Sequence, residues 1–174
     1  IGVIGKTKNG DEEEIRAPIV MGCDGSNSIV ARKLGLYVMN MENTSVAVRC
    51  YYEGVKRLTD QIELHYVKEV NPSYFWLFPA GEGKANIGIG LSKSDMKKER
   101  RTLRQIMDEI TQSDYFKERF SDAVQLEKPV GWNLPVGSKH RKNHGNGFLL
   151  LGDAAGLIDP FTGEGIGNAM VSGK

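Results

Sequence analysis

The sequence predicts an α+β fold, a mainly antiparallel sheet with helices on one side, together with strand-helix pieces of an α/β layer. Three observations point there. Between residues 44 and 92, successive segments alternate apolar and polar side chains with period two and are separated by turn-forming residues, as in an antiparallel sheet with one buried face. Leu103, Ile106, Met107 and Ile110 recur at helical spacing. Near each end, a short apolar run leads to an aspartate and then to a glycine-containing opening into a helix. That last order suits an anionic or electron-rich ligand, because free N–H groups and the positive end of the helix dipole point at it.

Taken in order, residues 1–4 read as a strand, Asn9-Gly10-Asp11 as a turn and residues 14–17 as the return strand of a hairpin. Residues 19–22 form a short apolar run into Asp24-Gly25. Ser26 or Ser28 can cap a helix over about 29–34, with Gly35 as its stop. In residues 44–53, Val46, Val48, Cys50 and Tyr52 share one face and Ser45, Ala47, Arg49 and Tyr51 the other. Ile62, Leu64 and Tyr66 face together in the next alternating segment. Asn71-Pro72-Ser73 is a turn. The strand at 74–79 puts Tyr74, Trp76 and Phe78 on one face. After the turn at 80–83, the strand at 85–92 leaves Gly88 and Gly90 bare on one face and Ile87, Ile89 and Leu91 on the other.

Ser94 is expected to cap the helix carrying Leu103 to Ile110, with the basic run Lys97, Lys98, Arg100, Arg101 and Arg104 mostly opposite, as a solvated face, a membrane-surface contact or a contact to a cofactor phosphate. A second short helix is expected over about 113–120. Residues 124–136 read as extended but interrupted, since Pro129 and Pro135 favour an edge. Residues 138–147 are a basic polar loop. Residues 148–151 then form a short buried strand ending in Gly152-Asp153, and a loop with Pro160 leads into a helix opened by Gly163-Glu164-Gly165-Ile166-Gly167.

Composition bounds the function. The chain has 174 residues, with 40% hydrophobic and 26% charged content and a net charge of +1, ordinary for a soluble globular protein and no argument for nucleic acid. Cys23 and Cys50 stand far apart and suit a reducing compartment such as the cytoplasm, where both read as small buried hydrophobes. No apolar run reaches the length of a membrane span. His140 and His144 are four apart but lie in loop composition without carboxylate or thiolate partners, so no metal is expected. The chain opens without methionine and ends inside a helical pattern, and it reads as a piece of a longer protein.

Three stretches carry a family resemblance. Gly152-Asp153-Ala154-Ala155 with Asp159-Pro160 and Gly163-Glu164-Gly165-Ile166 resembles the second flavin-binding motif of FAD-dependent oxidoreductases of the para-hydroxybenzoate hydroxylase fold. Gly22-Cys23-Asp24-Gly25-Ser26, followed by Ser28, Val30 and Arg32, resembles the Asp-Gly motif of that superfamily, with Cys23 at a position usually held by Ala. Tyr74-x-Trp76-x-Phe78-Pro79 followed by Asn86-x-Gly88-x-Gly90 resembles the substrate-domain signature of its geranylgeranyl reductase family, and residues 129–137 resemble that family's return segment.

The resemblance implies that Asp153 holds the ribitol of FAD and that the backbone of Gly163, Gly165 and Gly167, with Pro160 and Ile166, passes under the pyrimidine end of the flavin. It puts Asp24 and Gly25 near the pyrophosphate. Arg49, Tyr74, Trp76, Phe78, Gly88 and Gly90 would line the substrate side. Residues 1–37 and 138–174 would then be parts of an FAD-binding domain and residues 38–137 the substrate domain. The superfamily's first βαβ unit, with its Gly-x-Gly-x-x-Gly turn, needs about thirty residues, which the stretch before Asp24 does not provide.

The implied activity is reduction of carbon–carbon double bonds in an isoprenoid or other hydrophobic substrate, with NAD(P)H as a candidate electron donor and peripheral membrane contact as a candidate association. No residue reads as the proton donor. Two other readings stand beside it: a flavin-dependent monooxygenase or halogenase, and a cofactor-free lipid- or partner-binding module.

Overall fold

The computed structural model describes residues 1–37, 39 and 41–174. They fall into two compact units, one of residues 1–43 and 134–174 and one of residues 44–133.

The first unit begins with β1 (Gly2–Lys6) and β2 (Glu12–Arg16), an antiparallel hairpin in which Val3 faces Ile15. β3 (Val20–Gly22) leads to α1 (Ile29–Lys33). Ser28 is its N-cap, accepting from the Ala31 N–H at 2.9 Å, and Gly35 follows with a positive φ of 69°.

The second unit is built on one six-stranded sheet. β4 (Thr44–Glu53), β5 (Glu63–His65), β6 (Phe75–Pro79), β7 (Lys84–Ser92) and β8 (Val124–Gln125) lie in the order β5-β6-β7-β4-β8, and β9 (Val130–Pro135) also pairs with β4. β4 pairs antiparallel with β7 and β8, and β6 with β5 and β7. β8 and β9 are two short pieces where one extended stretch with Pro129 was expected to break. Alternation delivers Val48 and Cys50 from β4, Phe75 and Leu77 from β6, and Ile87 and Ile89 from β7 to one face, where all are buried. Ile106, Met107 and Ile110 of α3 (Leu103–Gln112) cover that face, with Phe116 beside them. Each such side chain contributes about 1.5–3 kcal/mol by leaving water.

The basic helix expected from Ser94 is two helices. Ser92, not Ser94, caps α2 (Lys93–Met96), and α3 begins only after Thr102. Between them the Glu99 carboxylate accepts the backbone N–H groups of Arg100 and Arg101 and pairs with the Arg101 guanidinium at 2.7 Å. Those N–H groups are then lost to the helical ladder. Thr102 and Gln105 restart the helix with a capping box. The second helix expected near 113–120 is a run of turns, closed by N–H bonds from Lys117 to Ser113 and from Phe120 to Phe116.

The chain returns to the first unit through β10 (His144–Gly145), β11 (Phe148–Leu150), a 3-10 turn at Gly152–Ala155 and α4 (Ile166–Ser172). β11 pairs antiparallel with β10 and parallel with β3. Gly22 is needed there, since a Cβ would lie 2.8 Å from Leu150 Cδ2. Of the two cysteines read as buried, Cys50 is buried and Cys23 is exposed, because Cys23 follows β3 in the loop before α1 rather than inside a strand.

Candidate functional site

In the first unit, β11 ends by delivering Gly152 and Asp153 into the 3-10 turn. Gly152 and Gly156 both take positive φ, 54° and 68°, which only glycine adopts without strain. The Gly152 N–H donates to Ser172 Oγ at 3.0 Å, seating the turn on α4. The Asp153 carboxylate has no hydrogen-bond partner among the described residues, and burial pushes it above the usual carboxylate range. It lies beside Gly165, which packs on Ile158: a Cβ built on that glycine would lie 3.0 Å from Ile158 Cγ1 and 3.6 Å from Asp153 Oδ1.

The turn after Pro160 is shaped from within. Asp159 Oδ1 accepts the N–H groups of Phe161 and Thr162 and the Thr162 hydroxyl. The bonds from Thr162, its N–H above all, hold Asp159 below its ordinary value. The Gly163 N–H donates to the Asp159 carbonyl at 2.9 Å and the Gly167 N–H to Glu164 Oε1 at 2.5 Å. The Gly165 N–H has no partner among the described residues. The three glycines are therefore not equivalent: Gly165 alone of them offers a free donor, while Pro160 and Ile166 are exposed on the same turn.

Asp24 is more engaged. Its Oδ1 accepts the Ser28 hydroxyl at 2.6 Å and its Oδ2 the N–H groups of Ile29 and Val30. Burial raises its pKa, but the bonds from Ser28, Val30 and Ile29 outweigh that and the carboxyl lies below its ordinary value. Gly25, with φ of 74°, turns the chain into this cap. A narrow crevice is lined by Ser26, Tyr37, Pro135, Arg141 and Asp153. Ser26 Oγ and Arg141 Nε are buried there without a partner among the described residues. Unsatisfied buried polar atoms are rare in folded proteins and call for a partner. Ser26, Tyr37 and Arg141 carried no signal of this in the sequence.

In the second unit, the face opposite the core carries the aromatic wall. Tyr74, Trp76 and Phe78 are successive neighbours, with ring centroids 6.4 and 6.3 Å apart, and Tyr66 extends the row at 6.0 Å from Tyr74. Strand register places Leu64, Trp76, Gly88 and Arg49 in one row across four strands. The Trp76 indole lies over Gly88, where a Cβ would come within 2.1 Å of Cζ2. Its Nε1–H donates to Asn86 Oδ1 at 2.8 Å. Asn86 was quoted in the signature without a role; its register opposite Phe78 was the available clue. Gly90 is open, with its nearest neighbours at 3.5 and 3.6 Å. Arg49 stacks on the Tyr51 ring at 5.1 Å and pairs with Glu127. Burial pushes the Tyr74 hydroxyl up.

An antiparallel sheet with one aromatic face, in a chain that also holds strand-turn-helix pieces with a free acid, is an architecture with solved counterparts. A geranylgeranyl bacteriochlorophyll reductase-like protein from Thermoplasma acidophilum superposes with a TM-score of 0.84 at 28% identity, over 98% of this chain and 45% of that one. A flavin-dependent brominase superposes at 0.77 with 20% identity over 98% of this chain and 44% of that one, a likeness of fold alone. These define the class by fold, one shared by a reductase-like protein and a flavin-dependent brominase. Residues 43–131 match the geranylgeranyl reductase catalytic domain, and the chain belongs to that family.

Among curated relatives, the digeranylgeranylglycerophospholipid reductase of Methanosarcina mazei is 36% identical over 95% of this chain and 40% of its own length. That of Methanocaldococcus jannaschii is 34% identical over 94% of this chain and 41% of its own. The chain thus spans less than half the length of these relatives.

Proposed function

We propose that the chain is the substrate-domain portion, with part of the flavin-binding domain, of an FAD-dependent reductase acting on carbon–carbon double bonds of an isoprenoid-bearing lipid. The observation that carries the reading is Asp153: a half-buried carboxylate without a partner among the described residues, beside Gly165, whose N–H is also unpartnered among them. An acid left in that state fits a ligand hydroxyl, and the unpartnered N–H of Gly165 fits an acceptor atom of the ring. Asp153 would hold the ribitol and Gly165 would meet the ring, with Gly163 and Gly167 setting the turn. Ser26 supplies a further unspent polar atom. When bound and reduced, FAD supplies the hydride for the double bond.

The chain's own residues do the rest. The wall of Tyr74, Trp76 and Phe78 receives an apolar chain and excludes water from it. Asn86 and Gly88 fix the Trp76 plane. Arg49, half-exposed and paired with Glu127, offers a cationic edge to a polar headgroup. The names of the curated relatives support a digeranylgeranyl lipid as substrate class. NAD(P)H as electron donor, a cytoplasmic setting and peripheral membrane contact complete the proposal. Among the described residues no helix is long and apolar enough to cross a membrane.

The test is product analysis under anaerobic conditions, with FAD, a chemical reductant and a digeranylgeranyl lipid. The expected product gains two hydrogens per double bond. A product formed only with oxygen, carrying oxygen or halogen, would move the assignment to the monooxygenase or halogenase reading. A chain that binds the lipid but never FAD would move it to the binding module.

A further inference from the structure

A second cavity in the first unit, of about 340 Å3, lies between the basic loop and the turn after Asp153. His140, Arg141, Asn143 and Ser138, whose hydroxyl donates to Asn43 at 2.8 Å, line it together with Ala155, Gly156 and Leu157. Lys139 also borders it but is paired with Glu42.

Arg141 is the unusual member. Its guanidinium lies against Gly156, where a Cβ would fall 2.3 Å from Nη1 and 2.7 Å from Cζ. Gly156 thus leaves room for this side chain as well as supplying the positive φ. Nη2 donates only to the carbonyls of Val136 at 3.3 Å and Asn43 at 3.5 Å, both long bonds. Nε is buried with no partner among the described residues. No carboxylate pairs with Arg141 among the described residues. Asp153 borders the neighbouring crevice with it, yet the two form no ion pair. Burial alone disfavours the charge on Arg141. A desolvated guanidinium without a counter-charge is costly, and an oxyanion that takes its planar donors two at a time removes that cost.

We propose that this cavity is an oxyanion site for a phosphoryl group, with Arg141 as its anchor and His140 and Asn143 as further donors at its wall. The proposal stands apart from the reductase reading, because it rests on Arg141 and Gly156 and on neither Asp153 nor the aromatic wall. The phosphoryl group can belong to the diphosphate of a dinucleotide or to a separate phosphorylated ligand.

The experiment is calorimetric titration of the chain with inorganic phosphate, against chloride at equal ionic strength, with thermal unfolding in the same two buffers. The wild type is expected to bind phosphate and to unfold at a higher temperature in its presence. Arg141→Gln is expected to weaken binding by about tenfold or more, from loss of a charge-assisted contact. Arg141→Lys should fall between, having a charge but no fork, and Lys6→Gln on the β1 hairpin should bind as the wild type does. Phosphate displaced by saturating FAD would assign the site to the cofactor's diphosphate. Phosphate retained beside FAD would assign it to a separate ligand. No stabilisation of the wild type beyond the chloride control would overturn the proposal. So would equal binding by wild type and Arg141→Lys together with Arg141→Gln.

Discussion

Gly88→Ala is the sharpest probe of the aromatic wall. The added methyl would sit 2.1 Å from Trp76 Cζ2 and 2.4 Å from the Val48 carbonyl. One is a large ring and the other is backbone in the adjoining strand, so neither yields cheaply. Overpacking of this kind costs about 1–3 kcal/mol. Displacing the indole also breaks its 2.8 Å bond to Asn86, worth about 0.5–1.5 kcal/mol. Replacing glycine returns about 0.4–1 kcal/mol by restricting the unfolded chain. The net expectation is a destabilisation of about 2 kcal/mol.

Gly90→Ala, two residues along the same face, supplies the contrast. Its new methyl would meet nothing closer than 3.5 Å, so only the entropic gain remains and the variant should equal or slightly exceed the wild type. Urea unfolding measures both, and the indole N–H resonance of Trp76 reports whether its hydrogen bond survives. A Gly88→Ala variant as stable as the wild type, with that resonance unmoved, would refute the packing described for Trp76.

Three further outcomes are expected. Arg119→Gln removes the two-pronged partner of Glu63, at 2.6 and 2.8 Å in a largely buried setting, and should cost about 3 kcal/mol at neutral pH. The Arg119 bond lowers the Glu63 pKa from 4.5, so this stability is present above pH 4.5 and is lost as pH falls through the lower folded value. Acid titration of unfolding should show that loss in the wild type and a shallower one in the variant. Thr102→Ala should cost about 1 kcal/mol by removing the α3 capping box, with Thr102→Ser retaining most of it, both read by urea unfolding. Burial raises Asp153 above 3.8 in the fold, so ionisation there opposes folding: the contribution of this one group is most favourable below pH 3.8 and is lost as pH rises through the folded value. Without cofactor, Asp153→Asn should therefore be more stable than the wild type at pH 7, with the gap closing below pH 4 in the same unfolding assay.

The sheet was legible because its signal is local. Period two placed Phe75 and Leu77 opposite Trp76 and Phe78, while Gly88 and Arg49 came together only through the family resemblance, and the register pairs them. The hairpin at Asn9-Gly10 and the Ser28 cap were legible for the same reason, since a turn residue and a capping hydroxyl act within a few positions. What escaped depends on contacts that sequence spacing does not encode. Residues 94–102 have helical composition, but Glu99 captures two backbone donors and breaks the run. The segment 113–120 has helical residues, yet it runs as turns, with Phe116 fixed in the core. In the flavin motif, alternating glycines look alike, and only the bonds from Gly163 to Asp159 and from Gly167 to Glu164 single out Gly165. Arg141 sat in a basic loop with nothing to mark it, because its meaning comes from Gly156, fifteen residues later.

The most direct test of the account is FAD titration of the chain, followed by flavin absorbance and fluorescence, for the wild type, Asp153→Asn and Asp153→Ala. The account predicts a perturbed flavin spectrum with the wild type and about tenfold or greater loss of affinity in both variants, from removal of a charge-assisted contact to the ribitol. A wild-type chain that leaves the flavin spectrum unchanged, or variants that bind FAD as tightly as it does, would contradict it.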